Sequence, residues 1–414
     1  MALRESLVST VDGLLAAARK AEPQTIVVQG HLAEVPGFRL APGQVLEGEG
    51  EHAGITFALN QDGLQLSSDN TVRRLRLEAA PERRAIYNDT QVASLGVIRL
   101  TDLVTVGQVQ ILARDKVRGG HVEVAGLDVV AADTRSQGDR PQGFGVHVIQ
   151  GAFTLWNMQA DAQVVVTADL IGLSAGRAAA PVIGSGIFVS GPGFAQGGLS
   201  VRRLETGPVY SDGRIAPGTP DVITGGVFTV HGAYVDSVRN LGPVTTYGVN
   251  DMVLDNWGQV DRWEVEEKIT SFGPSGIGFV NFGSLSLLQV NAPIETFGQG
   301  ARGFNLYAGT LNHAEFDRIT THADGAVGVQ VSQPMGPLHV RRGIETYGAT
   351  GDSLVKGVVV SLSAIALSIK PGGSVAEVVI DGGVVTHGKG IAPLEVNGEI
   401  GSLQISGGIR AAGN

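Results

Sequence analysis

The chain contains no cysteine, which excludes disulfides and thiolate-held metals from its fold and chemistry and leaves the redox compartment open. Aromatic residues make up only 5% of the 414 positions and charged residues only 17%, so Val, Ile, Leu and Ala must fill the interior. No apolar run approaches the roughly 20 residues of a membrane-spanning helix, and no membrane association is expected. A net charge of −10 without a basic cluster argues against a nucleic-acid footprint. No cofactor motif stands out: "GEGEHAG" (48–54) and "GKG" (388–390) lack the lysine–hydroxyl ending or strand–helix context of phosphate loops. A signal peptide is missing too, since Glu5 and Asp12 interrupt any apolar stretch; this places the protein in the cytoplasm if Met1 is its native start.

What the chain has in excess is glycine, 60 residues without a collagen-like period. With 43% hydrophobic residues it is too apolar to be disordered. Near the start, Leu7, Val8, Val11, Leu14, Leu15 and Ala18 share one stripe at period 3.6. An amphipathic helix over 3–20, inside a segment 1–23 ended by Pro23, is expected to pack on the rest of the chain.

The phrase "IETFG" (294–298) recurs with small changes. Its copies start at Val244, Ile269, Ile294, Ile319 and Ile344, each 25 residues after the last, then at Val384 after 40 and Ile409 after 25. Forty is 25 plus an insertion of 15. A constant period of this size marks a solenoid of stacked units. Between the phrases, "GIGFVNFG" and "SLSLLQVN" alternate with period two and are broken by Gly, Pro or Asn, so the units are strands and turns. About three short strands fit one repeat, pairing in parallel from coil to coil at about 4.8 Å.

The phrase itself has a physical reading. Its first position is Val or Ile and should point inward. Thr246, Ser271, Thr296, Thr321, Thr346 and Thr386 at the third should form a hydroxyl ladder bonded between coils. Tyr247, Phe272, Phe297, His322, Tyr347 and His387 at the fourth should stack. That stack either fixes register or offers sugar rings a platform, and the histidines replace aromatics in it. The glycine that follows is expected to supply positive φ for a turn.

With "QTIVVQGHL", "PGQVLEGEG", "ITFAL" and "GLQLSSDNTVRRLRLEA" after the N-terminal helix, the chain resembles the pectate-lyase-like right-handed parallel β-helices over nearly its whole length. The resemblance implies an all-β fold, a single-stranded right-handed parallel β-helix spanning 24–414 under a capping helix. It implies no one activity, because that fold hosts lyases, hydrolases, epimerases, adhesins and phage tail parts.

Where the regularity breaks, function is expected to collect. Longer coils carry loops at about 133–145, 174–186 and 208–225, expected to form a wall along one side. They offer Asp133, Arg135, Asp139, Arg140, Arg177, Tyr210, Asp212, Arg214 and Asp221, with His231, Tyr234, Asp236 and Trp257 just beyond. Hydrolysis of a glycosidic bond needs two carboxyl groups, and a lyase or epimerase needs a base and a cation. The catalytic candidates are therefore Asp212, Asp221, His231 and Tyr234, expected to converge in one cleft. Arg140, Arg177, Tyr210, Arg214 and Trp257 are the substrate-binding candidates, and no metal set is apparent. Asp, Gly and Pro are also ordinary turn formers, and neither "RxPxxR" nor the "NTD…DD…GHG…RIK" set occurs.

Two functions fit these features. One is a carbohydrate-active protein that binds or modifies a polysaccharide in a groove beneath the loops. The other is a non-catalytic structural, adhesive or assembly rod. The last coil, "GGIRAAGN", lacks a polar cap, which points to a homo-oligomer, a longer chain or a fold-back of the end.

Overall fold

The structure, a computed structural model, describes residues 3–193, 198–355 and 357–413. It is a parallel β-helix solenoid of many short strands, with one helix among the described residues. A 26-stranded sheet and a 15-stranded sheet run its length, and nearly every pairing in them is parallel. The repeat sets the register directly. Val244, Ile269, Ile294, Ile319, Ile344, Val384 and Ile409 are successive partners across neighbouring rungs. Each regular rung has three main stretches, for example Ile277–Asn281, Ser284–Val290 and Ile294–Thr296. None of the described helices is long and apolar enough to cross a membrane.

The N-terminus departs from the expected helix over 3–20. Arg4–Val8 is a strand, paired in parallel with Gln24–Val28 as the first rung. Only Val11–Ala18 is helical, capped by the Thr10 hydroxyl accepting the Gly13 N–H. Leu14, Ala17 and Ala18 cover the first rung's core. Backbone groups of 4–8 gain a full ladder by pairing, and this outweighs the 3.6-residue periodicity of their side chains.

In the copies from Val244 to Val384, the first and third positions are buried and the fourth is outside. The hydroxyls do not bond from rung to rung as expected. Thr321 and Thr386 donate instead to the carbonyls of Ala326 and Ile391 in the turn that follows, and Thr346 to that of Ala364 just past the long insertion, while those of Thr246, Ser271 and Thr296 reach no partner among the described residues. The following glycine differs too. Gly273, Gly298, Gly348 and Gly388 do not have positive φ. A Cβ on Gly273 would lie 1.6 Å from the Gly248 carbonyl oxygen, and one on Gly298 would lie 1.8 Å from that of Gly273. These glycines let one backbone corner rest on the next.

The second sheet is covered on both faces, as parallel sheets usually are. Strands Asp251–Asn256, Ile277–Asn281, Arg302–Leu306 and Val327–Val331 are buried throughout. On the outer face a separate apolar cluster gathers Trp156, Phe188, Phe228, Met252, Trp257, Ile277 and Val280. Three insertions contribute its cover, the third loop through Pro220. The 133–147 loop turns back as a small hairpin, Gln142–Gly143 against Val146–Val148, and joins the edge of Val222–Thr229. The 15-residue insertion is the antiparallel hairpin of Thr350–Val355 and Val358–Ser363, which lies back over earlier rungs. There the Leu354 N–H donates to Ser275 Oγ at 2.9 Å, and Gly357 approaches Pro220. The last described rung has no such cover: Val396, Leu403 and Ile409 are exposed, whereas their partners Ile369, Val378 and Val384 are fully buried.

Candidate functional site

The loops do not form one wall. The second is a tight turn closed by Arg177 and Ala180, with Arg177 forked onto Asp128 at 2.9 and 2.6 Å. The Tyr247 hydroxyl donates to Ala178 on this side, and Tyr210 lies on the neighbouring strand. The first and third loops meet. The His147 N–H donates to the Asp221 carbonyl at 2.7 Å, and at their bases Asp133 and Asp212 flank Ile183, the end of the second loop. Arg135 holds Asp133 through Nε and Nη2 at 3.0 and 2.7 Å, keeping that carboxyl below its usual range despite burial. Asp212 Oδ1 accepts the Arg214 N–H at 2.8 Å.

Beside Asp212 lies a carboxylate that the sequence reading passed over. A Cβ on Gly248 would sit 2.6 Å from Asp251 Oδ2 and 2.7 Å from Asp212 Oδ1, so these oxygens are at most about 5.3 Å apart. That bound admits the separation of about 5–5.5 Å that a retaining glycosidase uses. The surroundings do not. Asp251 is fully buried, and its oxygens accept the Gly213 and Gly248 N–H groups at 3.0 and 2.7 Å and the Thr224 hydroxyl. Burial foremost, then the Asp212 charge, pushes its pKa up to about 6. It is a staple for two turns and cannot reach a substrate.

Asp221 and Arg140 sit elsewhere, in an open hollow of about 560 Å³ with Arg135, Gln142 and His147. Arg140 donates to the Arg135 carbonyl there, and Asp139 pairs with Arg114. Asp236 is exposed on the strand Ala233–Asn240. The four catalytic candidates therefore do not converge: Asp212 and Asp221 are separated from His231 and Tyr234.

His231, Tyr234 and Trp257 do come together. They line a groove of about 190 Å³ with Gln259, Phe282 and Ser284, over a floor of Gly232, Gly258, Gly283 and Gly309. The floor is another stacked glycine corner: a Cβ on Gly283 would lie 2.0 Å from the Gly258 carbonyl oxygen, and one on Gly309 1.8 Å from that of Gly283. Bare backbone at successive rungs leaves a trough along the axis. His231 lies nearly parallel to Trp257, with ring centroids 5.8 Å apart, and Phe282 stacks on Tyr307 at 5.2 Å. Tyr234 and Gln259 are neighbours across adjacent rungs and form the opposite bank. Burial lowers the His231 pKa, which favours the neutral imidazole at pH 7. Among the described residues, no carboxyl lines this trough.

The exposed aromatic stack of the repeated phrase has a different geometry. From Tyr247 to His387 neighbouring rings are 4.3–5.4 Å apart and within 14° of parallel. Within the stack, from Phe272 to Tyr347, both faces of each ring are occupied by its neighbours, so these rings offer solvent only their edges. His322 and His387 bond to Glu295 and Glu345 at 3.1 and 2.8 Å. This stack aligns rungs, and its inner rings give a sugar ring no face to lie on.

No family model matches this chain, and the comparisons with curated proteins and with solved structures likewise found no match.

Proposed function

We propose that this protein binds an uncharged polysaccharide lengthwise in the glycine-floored trough. The observation that carries the reading is the meeting of His231, Tyr234 and Trp257 with Gln259, Phe282 and Ser284 over stacked glycine corners. Aromatic surface, a phenol, an amide and a hydroxyl in a groove without formal charge suit a polyhydroxylated chain. A trough whose floor repeats with each rung suits a polymer better than a compact ligand. Hydrolysis has less support: the paired carboxyls it needs lie outside the trough, and Asp251 is sequestered. The likeness to pectate-lyase-like solenoids agrees with a carbohydrate ligand and supplies no reaction.

Titration with neutral glucans, mannans and galactans, followed by Trp fluorescence and calorimetry, tests this. Tyr234→Ala should weaken binding about tenfold, about 1.4 kcal/mol, without changing the unfolding midpoint. If the whole panel leaves fluorescence and heat unchanged, the binding reading falls and the non-catalytic rod stands in its place.

A further inference from the structure

On the far side of Trp257 and Phe282 from the trough, three insertions close over one patch of the second sheet. Phe144 and Val146 of the first loop, Pro220 of the third, and Leu354 and Gly357 of the long hairpin roof a cavity of about 50 Å³. Since one water needs about 10–15 Å³, it has room for three to five water-sized groups. Met252, Ile277 and Trp257 make its walls apolar, yet Asp255 and Arg302, 0% and 1% exposed, also line it.

A buried guanidinium stays charged and is costly without a partner. Arg302 has one long contact, Nη1 to the Gly300 carbonyl at 3.4 Å, while Nε and Nη2 reach no acceptor among the described residues. Those two atoms form one fork of the guanidinium, the shape that takes both oxygens of a carboxylate. This protein uses that fork elsewhere: Arg135 holds Asp133, and Arg342 holds Asp317, through Nε and Nη2. Neither oxygen of Asp255 completes a hydrogen bond among the described residues. Burial raises its pKa well above the usual carboxylate range, eased only by the Trp257 indole, which favours the protonated carboxyl.

We infer that this cavity is a binding site for a small organic carboxylate, clamped on the Nε–Nη2 fork of Arg302 and enclosed by Phe144, Met252, Ile277 and Leu354. Four heavy atoms, as in acetate, match its size. The apolar walls take the carbon end, and the Asp255 carboxyl lines the same space. A dianion such as phosphate fits less well beside a second acidic group. The inference stands independently of the trough, whose ligand is uncharged.

Full-length protein titrated with sodium acetate and propionate, against acetamide and sodium chloride at matched ionic strength, provides the test. Saturable changes in Trp fluorescence and a rising unfolding midpoint are expected with the two carboxylates only. Arg302→Met, which keeps the volume and removes the charge, should lower acetate affinity about tenfold or more. Line broadening of ¹³C-acetate with wild-type protein reads the site even where that variant fails to fold. Equal responses to acetate, acetamide and chloride, absence of any broadening, or an unchanged acetate affinity in a folded Arg302→Met overturns the inference.

Discussion

At the residue scale, Asp251 and Gly283 show two ways in which a single side chain, or its lack, sets a rung in place. Asp251 accepts two backbone N–H groups and a hydroxyl at the price of burial, and its pKa of about 6 stands above the ordinary 3.8. A carboxyl raised in the folded state stabilises fully below its unfolded pKa, and that contribution is lost as pH rises through the folded value. The window here runs from about pH 4 to about pH 6, and two pKa units correspond to about 3 kcal/mol. Asp251→Asn should accordingly gain about 3 kcal/mol relative to wild type between pH 4 and pH 7.5. Urea unfolding at both pH values measures this, and a difference that does not change with pH contradicts it. Gly283→Ala should cost about 1–3 kcal/mol, because its Cβ meets the Gly258 carbonyl oxygen at 2.0 Å and both atoms belong to packed corners. Gly138→Ala, where nothing lies within 4 Å, is the control and should stay within about 0.5 kcal/mol in the same denaturant titration.

At the scale of elements, the hairpin at 350–363 separates what was legible in the sequence from what was not. Its existence is plain in the spacing of 40 where 25 is the rule. Its destination is not, since nothing local says that Leu354 will reach Ser275 or Gly357 will approach Pro220. The same division runs through the site. The 25-residue period placed the phrase in register to the residue, and the excess length marked the loops. Which loops touch depends on long-range packing: Arg177 was drawn away by Asp128, and the first loop fastened onto Val222. Asp255 and Arg302 did leave a signal. In columns set by the repeat, Arg302 stands between Ile277 and Val327, and Asp255 between Phe228 and Val280. A charge in an otherwise apolar column marks a special position. Replacing 350–363 with a short link of the "GQGA" kind found in neighbouring rungs should leave the far-ultraviolet strand signal intact. It should also increase binding of a hydrophobic dye, because Met252, Ile277 and Phe282 lose their roof. Unchanged dye binding would show that the hairpin is not the cover.

At the scale of the whole molecule, stacked rungs touch only their neighbours, so stability is roughly a sum of local terms and opening can begin at either end. Insertions are the exceptions: the Gln142–Val148 hairpin joins Val222 past the rung of Ser185–Ser190, and the 350–363 hairpin reaches further. It leaves the rung of Val327–Val331 and returns to Pro220, across four steps of about 4.8 Å, or about 19 Å. A clasp of that reach makes five rungs open together or not at all. Amide hydrogen exchange should therefore show one shared, slow opening for strands from Val222–Thr229 to Val327–Val331, with Leu394–Val396 and Ile409–Ala411 exchanging well ahead of them. A smooth gradient of protection along the axis would mean that the clasp carries no load. The covered cavity and the trough both fall within the clasped rungs, so the least yielding stretch of an otherwise unzippable rod is the one that holds its two proposed ligands.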